Sequence, residues 1–128
     1  MRFVREQDVV GDRLEAPHAR HVKHLAAPWT MGTSKIWLGI SVIEPGSSSN
    51  PHAHDQQEEV FYCLSGGGSI LVGEDRLVLE PGTCVFIPQG EMHQLINDRK
   101  DEVLRVLSAS SPPFDRGGWE RVHAGEGE

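Results

Sequence analysis

The chain has 128 residues and a formal net charge of −7, from 12 basic and 19 acidic side chains. This length fits one domain with a modest core. The basic residues are scattered, so a nucleic-acid partner, which needs a basic patch, is not expected. Residues 1–6 lack the apolar core of a secretory signal, and no apolar run approaches the roughly 20 residues of a membrane helix. We therefore expect no membrane association and a cytoplasmic location.

The N-terminal segment, residues 1–33, has little periodicity. Residues 3–10 are interpreted as a short edge strand, and Pro17 and Pro28 exclude a long helix. We expect this segment to form edge strands or a dimer arm. Three histidines occur here at intervals of three residues, and we expect them to be solvated or incidental. They are His18, His21 and His24.

The first clear strand is predicted over residues 34–43, because apolar and other residues alternate along it. Side chains two residues apart point to the same face of a strand, so the alternating set would line one face. That set is Ile36, Leu38, Ile40 and Val42. Pro45 and Gly46 end the strand, and a polar loop follows.

Short strand-like segments then follow one another, separated by turns that contain glycine, proline or charged residues. They cover residues 59–64, 69–72, 76–79, 84–87, 92–96 and 103–107. Many short strands with no amphipathic helix between them favour an all-β sandwich or barrel, here over residues 34–108.

Residues 109–128 contain proline and glycine pairs and are predicted to be a loose C-terminal tail. Its carboxylates at Glu120, Glu126 and Glu128 are expected to be solvated. Trp119 in the tail could close over a pocket or over a partner subunit. The two cysteines, Cys63 and Cys84, fall in apolar runs and are expected to be buried thiols.

Four potential metal ligands lie beside the strongest strands. His52 and His54 are two residues apart, so in an extended chain both imidazoles project to the same side. Glu59 begins the next strand, and His93 begins a later one. Three imidazoles and one carboxylate suit a divalent transition metal and leave coordination positions open for water or substrate.

The spacing of these residues resembles the two sequence motifs of the cupin superfamily. The first motif runs from Gly46 through His52, His54 and Glu59 to Gly66. The second has Gly82, Pro88, Gly90, His93 and Asn97 at its defining positions. The two motifs and their connection cover residues 46–97, and flanking strands extend the resemblance to about 34–108.

The resemblance implies a jelly-roll β-barrel that holds one divalent transition metal per chain. In cupins the positions of His52, His54, Glu59 and His93 bind the metal. Fe(II) is the first expectation, and Mn(II), Ni(II), Cu(II) and Zn(II) remain open. Glu58 is an alternative carboxylate, but the spacing to Gly66 favours Glu59. Small cupins are often dimers, so a homodimer is expected.

The residues that line the substrate pocket are predicted from strand alternation near the ligands. Glu59 would share a face with Phe61 and Cys63, and the neighbouring strands would add apolar side chains. The predicted lining is Ile40, Phe61, Cys63, Phe86 and Leu95. This mostly apolar lining is compatible with a small-molecule substrate that has an apolar body.

Three functions remain open, because the fold alone does not determine function. The first is a metal-dependent oxidoreductase of the dioxygenase type that acts on a small organic molecule. The second is a metal-assisted lyase or isomerase that uses no O2, with Glu58, Tyr62 or Glu91 as a candidate base. The third is a binding module without turnover. The sequence assigns no catalytic residue.

Overall fold

The structure is a computed structural model in which residues 1–123 are described. The predicted solvated carboxylates Glu126 and Glu128 lie outside the described residues. Two antiparallel sheets form the fold, with one short helix near the C-terminus. The prediction of an all-β fold is confirmed.

The larger sheet has six strands. In spatial order they are β1 (Asp12–Leu14), β2 (Arg20–Ala26), β3 (Trp37–Ile43), β9 (Leu104–Ser111), β4 (Glu58–Ser65) and β7 (Cys84–Ile87). The last strand, β9, lies between β3 and β4 and pairs with both of them along its length. Strand β9 thereby joins β3, which precedes the first motif, to β4, which lies within it.

The smaller sheet has three strands. In spatial order they are β6 (Asp75–Leu79), β5 (Gly68–Val72) and β8 (His93–Ile96). The loop after β3 extends this sheet, because Ser48 forms a β-bridge with Ile96 and His52 forms one with His93. This pairing brings the first and second motifs together.

The main core lies between the two sheets and consists of residues from almost every strand. Burial alternates along β4, where Glu59, Phe61 and Cys63 are buried while Glu58 is exposed. The buried apolar set is Ile43, Phe61, Cys63, Ile70, Leu79, Ile87, Leu95, Leu104 and Val106. A second cluster, Val22, Ala27, Trp37, Phe114 and Trp119, packs around the C-terminal helix.

The N-terminal segment differs from its sequence-based description. The strand predicted at residues 3–10 is wrong: Glu6–Asp8 is a single 3-10 turn, and the edge strand is β1. Strand β2 lies inside the larger sheet, and its residue His24 is buried rather than solvated. Its ring contacts the rings of Trp29, Trp37 and Trp119. Sequence periodicity could not predict this burial because the three tryptophans come from separate segments, one of them the C-terminal helix.

The C-terminal tail is also more ordered than the sequence predicts, since helix α1 covers Arg116–His123. Two glycines and only eight residues make this helix weak in isolation, so tertiary contacts must stabilise it. Asp115 caps its start by accepting the backbone N–H of Gly118 at 2.6 Å. Within residues 1–123, no helix is long and apolar enough to cross a membrane.

Candidate metal centre

Three histidine rings converge at one end of the space between the sheets. The main chains of His52 and His93 are joined by reciprocal N–H···O hydrogen bonds of 3.1 and 2.9 Å. Extended backbone then turns His54 to the same side as His52. All three rings are buried, and their potential ligand atoms lie within 4.8 Å of one another.

Glu59 enters the same site from β4. Its Oε1 lies 3.3 Å from His54 Nε2 and 3.4 Å from His93 Nε2. Its other oxygen, Oε2, accepts hydrogen bonds from the hydroxyls of Ser108 and Ser110, at 3.2 and 2.8 Å. The two serines therefore orient the carboxylate so that Oε1 faces the imidazoles. Glu58, the alternative carboxylate, is exposed on the opposite face of the strand.

The backbone fixes which nitrogen of two of these rings faces the site. Nδ1 of His52 lies 2.7 Å from the carbonyl oxygen of Asn50, and Nδ1 of His93 lies 3.0 Å from that of Glu91. A carbonyl can only accept, so each Nδ1 carries the hydrogen and Nε2 presents a lone pair. Metal-binding histidines are usually held in this way.

The ionisation of the site also fits metal binding. Burial, followed by the charges of the neighbouring histidines, lowers the pKa of His52 well below its ordinary value. Burial by itself raises the pKa of Glu59, but the positive charge that the adjacent His54 and His93 rings carry when protonated outweighs it, and the net pKa is well below normal. A metal ion would take the place of those protons, because a neutral imidazole and an ionised carboxylate are the forms that bind a metal.

Four buried atoms of these residues have no hydrogen-bond partner: His54 Nδ1, His54 Nε2, His93 Nε2 and Glu59 Oε1. Buried polar atoms without a partner are rare and costly, and an ion between them is one way to satisfy them. His54 Nε2, His93 Nε2 and Glu59 Oε1 face one another, since Oε1 lies 3.3 and 3.4 Å from the two nitrogens. The donor set therefore fits a divalent transition metal, with His52, His54, Glu59 and His93 as the residues that would hold it.

A small cavity of about 20 Å³ adjoins this donor set. Its lining combines polar groups with aromatic and aliphatic side chains from both sheets and from α1. Among the lining residues are His52, Glu59, Phe61, His93, Leu95, Trp119 and His123. The cavity has room for about one water molecule.

The structure brings some of the predicted pocket residues to the cavity and not others. Phe61, Cys63 and Leu95 all belong to the main core, and of these Phe61 and Leu95 also line the cavity. Ile40 does not line the cavity, because its neighbour Ser41 faces it and the alternation of side chains along β3 turns Ile40 to the other face. Phe86 does not line it either: Ile87 points into the core, so Phe86 is 55% exposed on the outer face.

Two further expectations are corrected by the structure. Cys84 is exposed, while Cys63 is buried as expected, and burial raises the pKa of the Cys63 thiol. The bases proposed for a lyase, Glu58, Tyr62 and Glu91, all have exposed side chains. Glu58 and Tyr62 point outward because side chains alternate along β4, and Glu91 lies in the turn before β8.

Sequence reasoning missed two residues of the site. Arg20 on β2 is buried and lines the cavity, and His123 at the end of α1 lies against the histidine cluster. No local pattern marked them, since each belongs to a segment predicted to be irregular. Asp115, a helix N-cap type of residue, was the one available signal for α1.

The sequence model of the family described as "Cupin domain" matches residues 39–110, more than half of the chain. The chain belongs to the cupin family. The cupin motif residues Gly46, Gly66, Gly82 and Gly90 all have positive φ values, between 73° and 92°. Asn97 is buried and joins β3 to the turn before β9 by donating to the carbonyls of Ile43 and Glu102.

Individual cupins of several kinds resemble this one. An uncharacterised protein of Streptomyces coelicolor is 35% identical over 59% of this chain and 70% of that protein. Gentisate 1,2 dioxygenase 1 of Aquipseudomonas alcaligenes is 30% identical over 62% of this cupin but only 24% of its own length. A crystal structure described as a predicted oxalate decarboxylase from Thermotoga maritima has a TM-score of 0.77 at 22% identity, covering 86% and 98% of the two chains.

Proposed function

We propose that this cupin is a metal-dependent oxidoreductase of the dioxygenase type that acts on a small organic molecule. The observation that carries the proposal is the convergence of unpaired His54 Nε2, His93 Nε2 and Glu59 Oε1 in a buried site. Histidine and carboxylate ligands with open positions suit Fe(II). A metal bound there supplies positive charge and open coordination positions for substrate and O2.

Side chains around the metal ligands shield the site from water and orient the Glu59 carboxylate. Phe61 and Leu95 cover the inner side of the site, and Trp119 of α1 covers the outer side. These apolar groups limit water around the donor set, which strengthens electrostatic interactions there. Ser108 and Ser110 hold the Glu59 carboxylate in place.

A larger groove of about 230 Å³ lies on the outer side of His54. Its walls are the loop that follows His54, the segment just before α1, which includes Phe114, and one side of α1, which includes Arg121. Since His54 borders both the groove and the metal ligands, we propose that the substrate body lies in the groove and its reacting end reaches the metal. Phe114 gives that body an apolar contact.

The positions of Glu58, Tyr62 and Glu91 favour the oxidoreductase over the lyase or isomerase. A general base has to come within hydrogen-bond reach of its proton, and these three side chains are exposed outside the cavity. The similarity to a dioxygenase supports the same choice, while the fold similarity to the predicted oxalate decarboxylase keeps the lyase as the alternative.

The proposal is tested in two steps. Metal content is measured by mass spectrometry on untagged protein, with His93→Ala as the matched variant. Oxygen uptake is then followed with catechols, β-diketones and flavonols after loading with Fe(II), Mn(II), Ni(II), Cu(II) or Zn(II). We expect near one metal per chain, lost in His93→Ala, and metal-dependent uptake.

Other results would redirect the assignment. Metal binding without uptake for any metal and substrate would reject the dioxygenase, and turnover under strict anaerobiosis would support the lyase or isomerase. A bound small molecule recovered unchanged would support a binding module. No metal binding at all would reject both enzymes.

We also propose a homodimer formed through the outer face of β4 and β7. Val60 and Phe86 are direct cross-strand partners and are 39% and 55% exposed, and Tyr62 beside them is 41% exposed. A contiguous apolar patch on an edge strand is a common interaction surface. Light scattering after size exclusion should give a dimer for the wild type and a monomer for Phe86→Glu. A monomeric wild type would reject the dimer.

A further inference from the structure

His123 lies as close to the metal-site histidines as they lie to each other. Its ring centroid is 4.7 Å from that of His52 and 5.1 Å from that of His54. The corresponding distances among His52, His54 and His93 are 4.4, 4.9 and 5.0 Å. A fourth imidazole, delivered by α1, thus joins the cluster on the side of the small cavity.

The His123 ring is also held as two of the other rings are held. Its Nδ1 lies 2.9 Å from the carbonyl oxygen of Trp119. This matches the Nδ1 contacts of His52 and His93 with backbone carbonyls, at 2.7 and 3.0 Å. The carbonyl fixes the hydrogen on Nδ1 and leaves the Nε2 lone pair of His123 free for another partner.

Aromatic contacts fix the plane of this ring. Trp119 stacks on His123 with a centroid distance of 4.8 Å and an interplanar angle of 14°. Phe114 meets it edge-on at 5.4 Å and meets His54 at 4.9 Å. The same phenylalanine therefore packs against both imidazoles and borders the groove.

The end of α1 is anchored to the barrel by buried polar groups. Asn50 Nδ2 donates to the carbonyl of Val122 at 2.8 Å, and Arg20 donates to that of His123 at 2.8 Å. Asn50 is also the residue whose carbonyl orients His52. The last turn of α1 is thus connected directly to the first metal-ligand loop.

From these four observations we propose that His123 is an additional ligand of the metal centre, carried by the C-terminal helix. This inference rests on the metal site of the proposed function. The compact group formed by the ligand atoms of His52, His54 and His93 includes neither Glu59 nor His123. A metal bound by His123 would hold α1 closed over the barrel, so metal binding is coupled to the packing of this helix.

Closure has a consequence for the substrate. The cavity beneath His123 and Trp119 has room for about one water molecule, so a larger group cannot lie between α1 and the metal while the helix is closed. A substrate that uses this position has to displace His123. His123 then acts as an internal ligand that occupies the substrate position in the resting enzyme.

The experiment uses Co(II)-loaded full-length protein. Each Co(II)-bound imidazole gives one strongly shifted ring N–H signal in proton NMR, and an N–H bonded to a carbonyl exchanges slowly enough to be seen. Wild type is compared with His123→Gln, with His93→Ala, and with His18→Ala, a histidine outside the site. Co(II) affinity and amide hydrogen exchange in α1 are measured on the same samples.

We expect His123→Gln to bind Co(II) about 10-fold to 100-fold more weakly and to lose one shifted N–H signal. Metal should slow amide exchange in α1 of the wild type and of His18→Ala, but not in His123→Gln. An unchanged number of shifted signals and unchanged affinity in His123→Gln, with binding lost in His93→Ala, would overturn this inference and leave the proposed function intact. Failure of the wild type to bind metal would overturn both.

Discussion

The guanidinium of Arg20 donates a 2.8 Å hydrogen bond to the carbonyl oxygen of His123, a residue 103 positions later in the chain. The same side chain donates to Asn50 Oδ1 at 2.7 Å and to the carbonyl of His18 at 3.0 Å. The carbonyls at the end of a helix lack partners within the helix. Arg20 therefore connects the end of α1, the first ligand loop and β2 through one planar donor group.

Arg20→Lys should destabilise the protein although the charge is kept. An ammonium cannot reproduce the planar fork, and each hydrogen bond to a charged group contributes about 1.5–3 kcal/mol. We expect urea unfolding to show that the free energy of unfolding falls by about 1.5–3 kcal/mol. The tryptophan emission should shift to the red as α1 loosens around Trp119. Arg13→Lys, at an exposed ion pair with Glu44, serves as the control. Equal effects at the two positions would contradict the anchoring role of Arg20.

Ser110→Ala should weaken metal binding without removing a metal ligand. Ser110 Oγ donates to Glu59 Oε2 at 2.8 Å, so its loss frees the carboxylate to rotate. Changes to groups that orient a ligand typically lower metal affinity about 10-fold to 100-fold. The measurement is a Co(II) or Zn(II) titration by calorimetry.

The adjacent Ser111→Ala is the matched control for that titration. Ser111 is exposed, and its hydroxyl bonds to the carbonyl of Lys35 rather than to the site. The Ser111→Ala variant should therefore bind metal with the affinity of the wild type. If Ser110→Ala also bound metal with wild-type affinity, the orientation of Glu59 by Ser110 would be refuted.

Metal-free protein should lose stability as the pH falls below 6.5, because burial lowers the pKa of His24. The unfolded chain takes up a proton near pH 6.5 while folded His24 stays neutral, so acid favours unfolding. Trp37 Nε1 donates to His24 Nδ1 at 3.2 Å, and a protonated ring could not accept that hydrogen bond. One histidine can change the free energy of unfolding by at most about 1.4 kcal/mol per pH unit.

The test is urea unfolding between about pH 5 and 8, the range in which histidine titrates, in the presence of a chelator. His24→Gln should have a smaller slope than the wild type, because glutamine does not titrate. Gln56→Ala, an exposed and non-ionisable position, should keep the wild-type slope. A wild-type slope in His24→Gln would show that His24 does not contribute. His21, His52 and His123, whose pKa values are also lowered by burial, would contribute to the remaining slope.

The parts of the fold that could be predicted are those with local signals. Alternation along β4 correctly predicted that Glu59 and Phe61 share the buried face. Turn residues located most of the strands between Glu58 and Ser111 to within a few positions. Strand β3 is different, because both its faces are buried at several positions and alternation could not show that Ile40 faces away from the cavity.

The parts that could not be predicted depend on contacts between distant segments. Helix α1 contains two glycines and is stabilised by Arg20, Asn50 and Trp37, none of which is near it in sequence. The burial of His24 has a similar origin, since two of the three tryptophans that surround it, Trp37 and Trp119, come from other segments. The position of His123 beside the histidine cluster likewise depends on the tertiary contacts of α1.

Two glycines of the first motif should differ sharply in their tolerance of alanine. Gly46 and Gly66 both have positive φ, at 73° and 80°, and alanine in this region costs about 1–2 kcal/mol. A Cβ at Gly46 would meet nothing within 4 Å, whereas one at Gly66 would overlap the Val103 carbonyl oxygen. Overlap with backbone has to be relieved by moving a strand, which adds about 1–3 kcal/mol.

Gly46→Ala should therefore lower the free energy of unfolding by about 1–2 kcal/mol, and Gly66→Ala by about 2–5 kcal/mol when the overlap is included. Urea unfolding of the metal-free variants measures both, and each variant serves as the control for the other because the backbone conformation is shared. Equal destabilisation would mean that positive φ alone accounts for both motif glycines. A larger loss at Gly66 would show that this position is glycine because the turn before β5 packs directly against the backbone leading into β9.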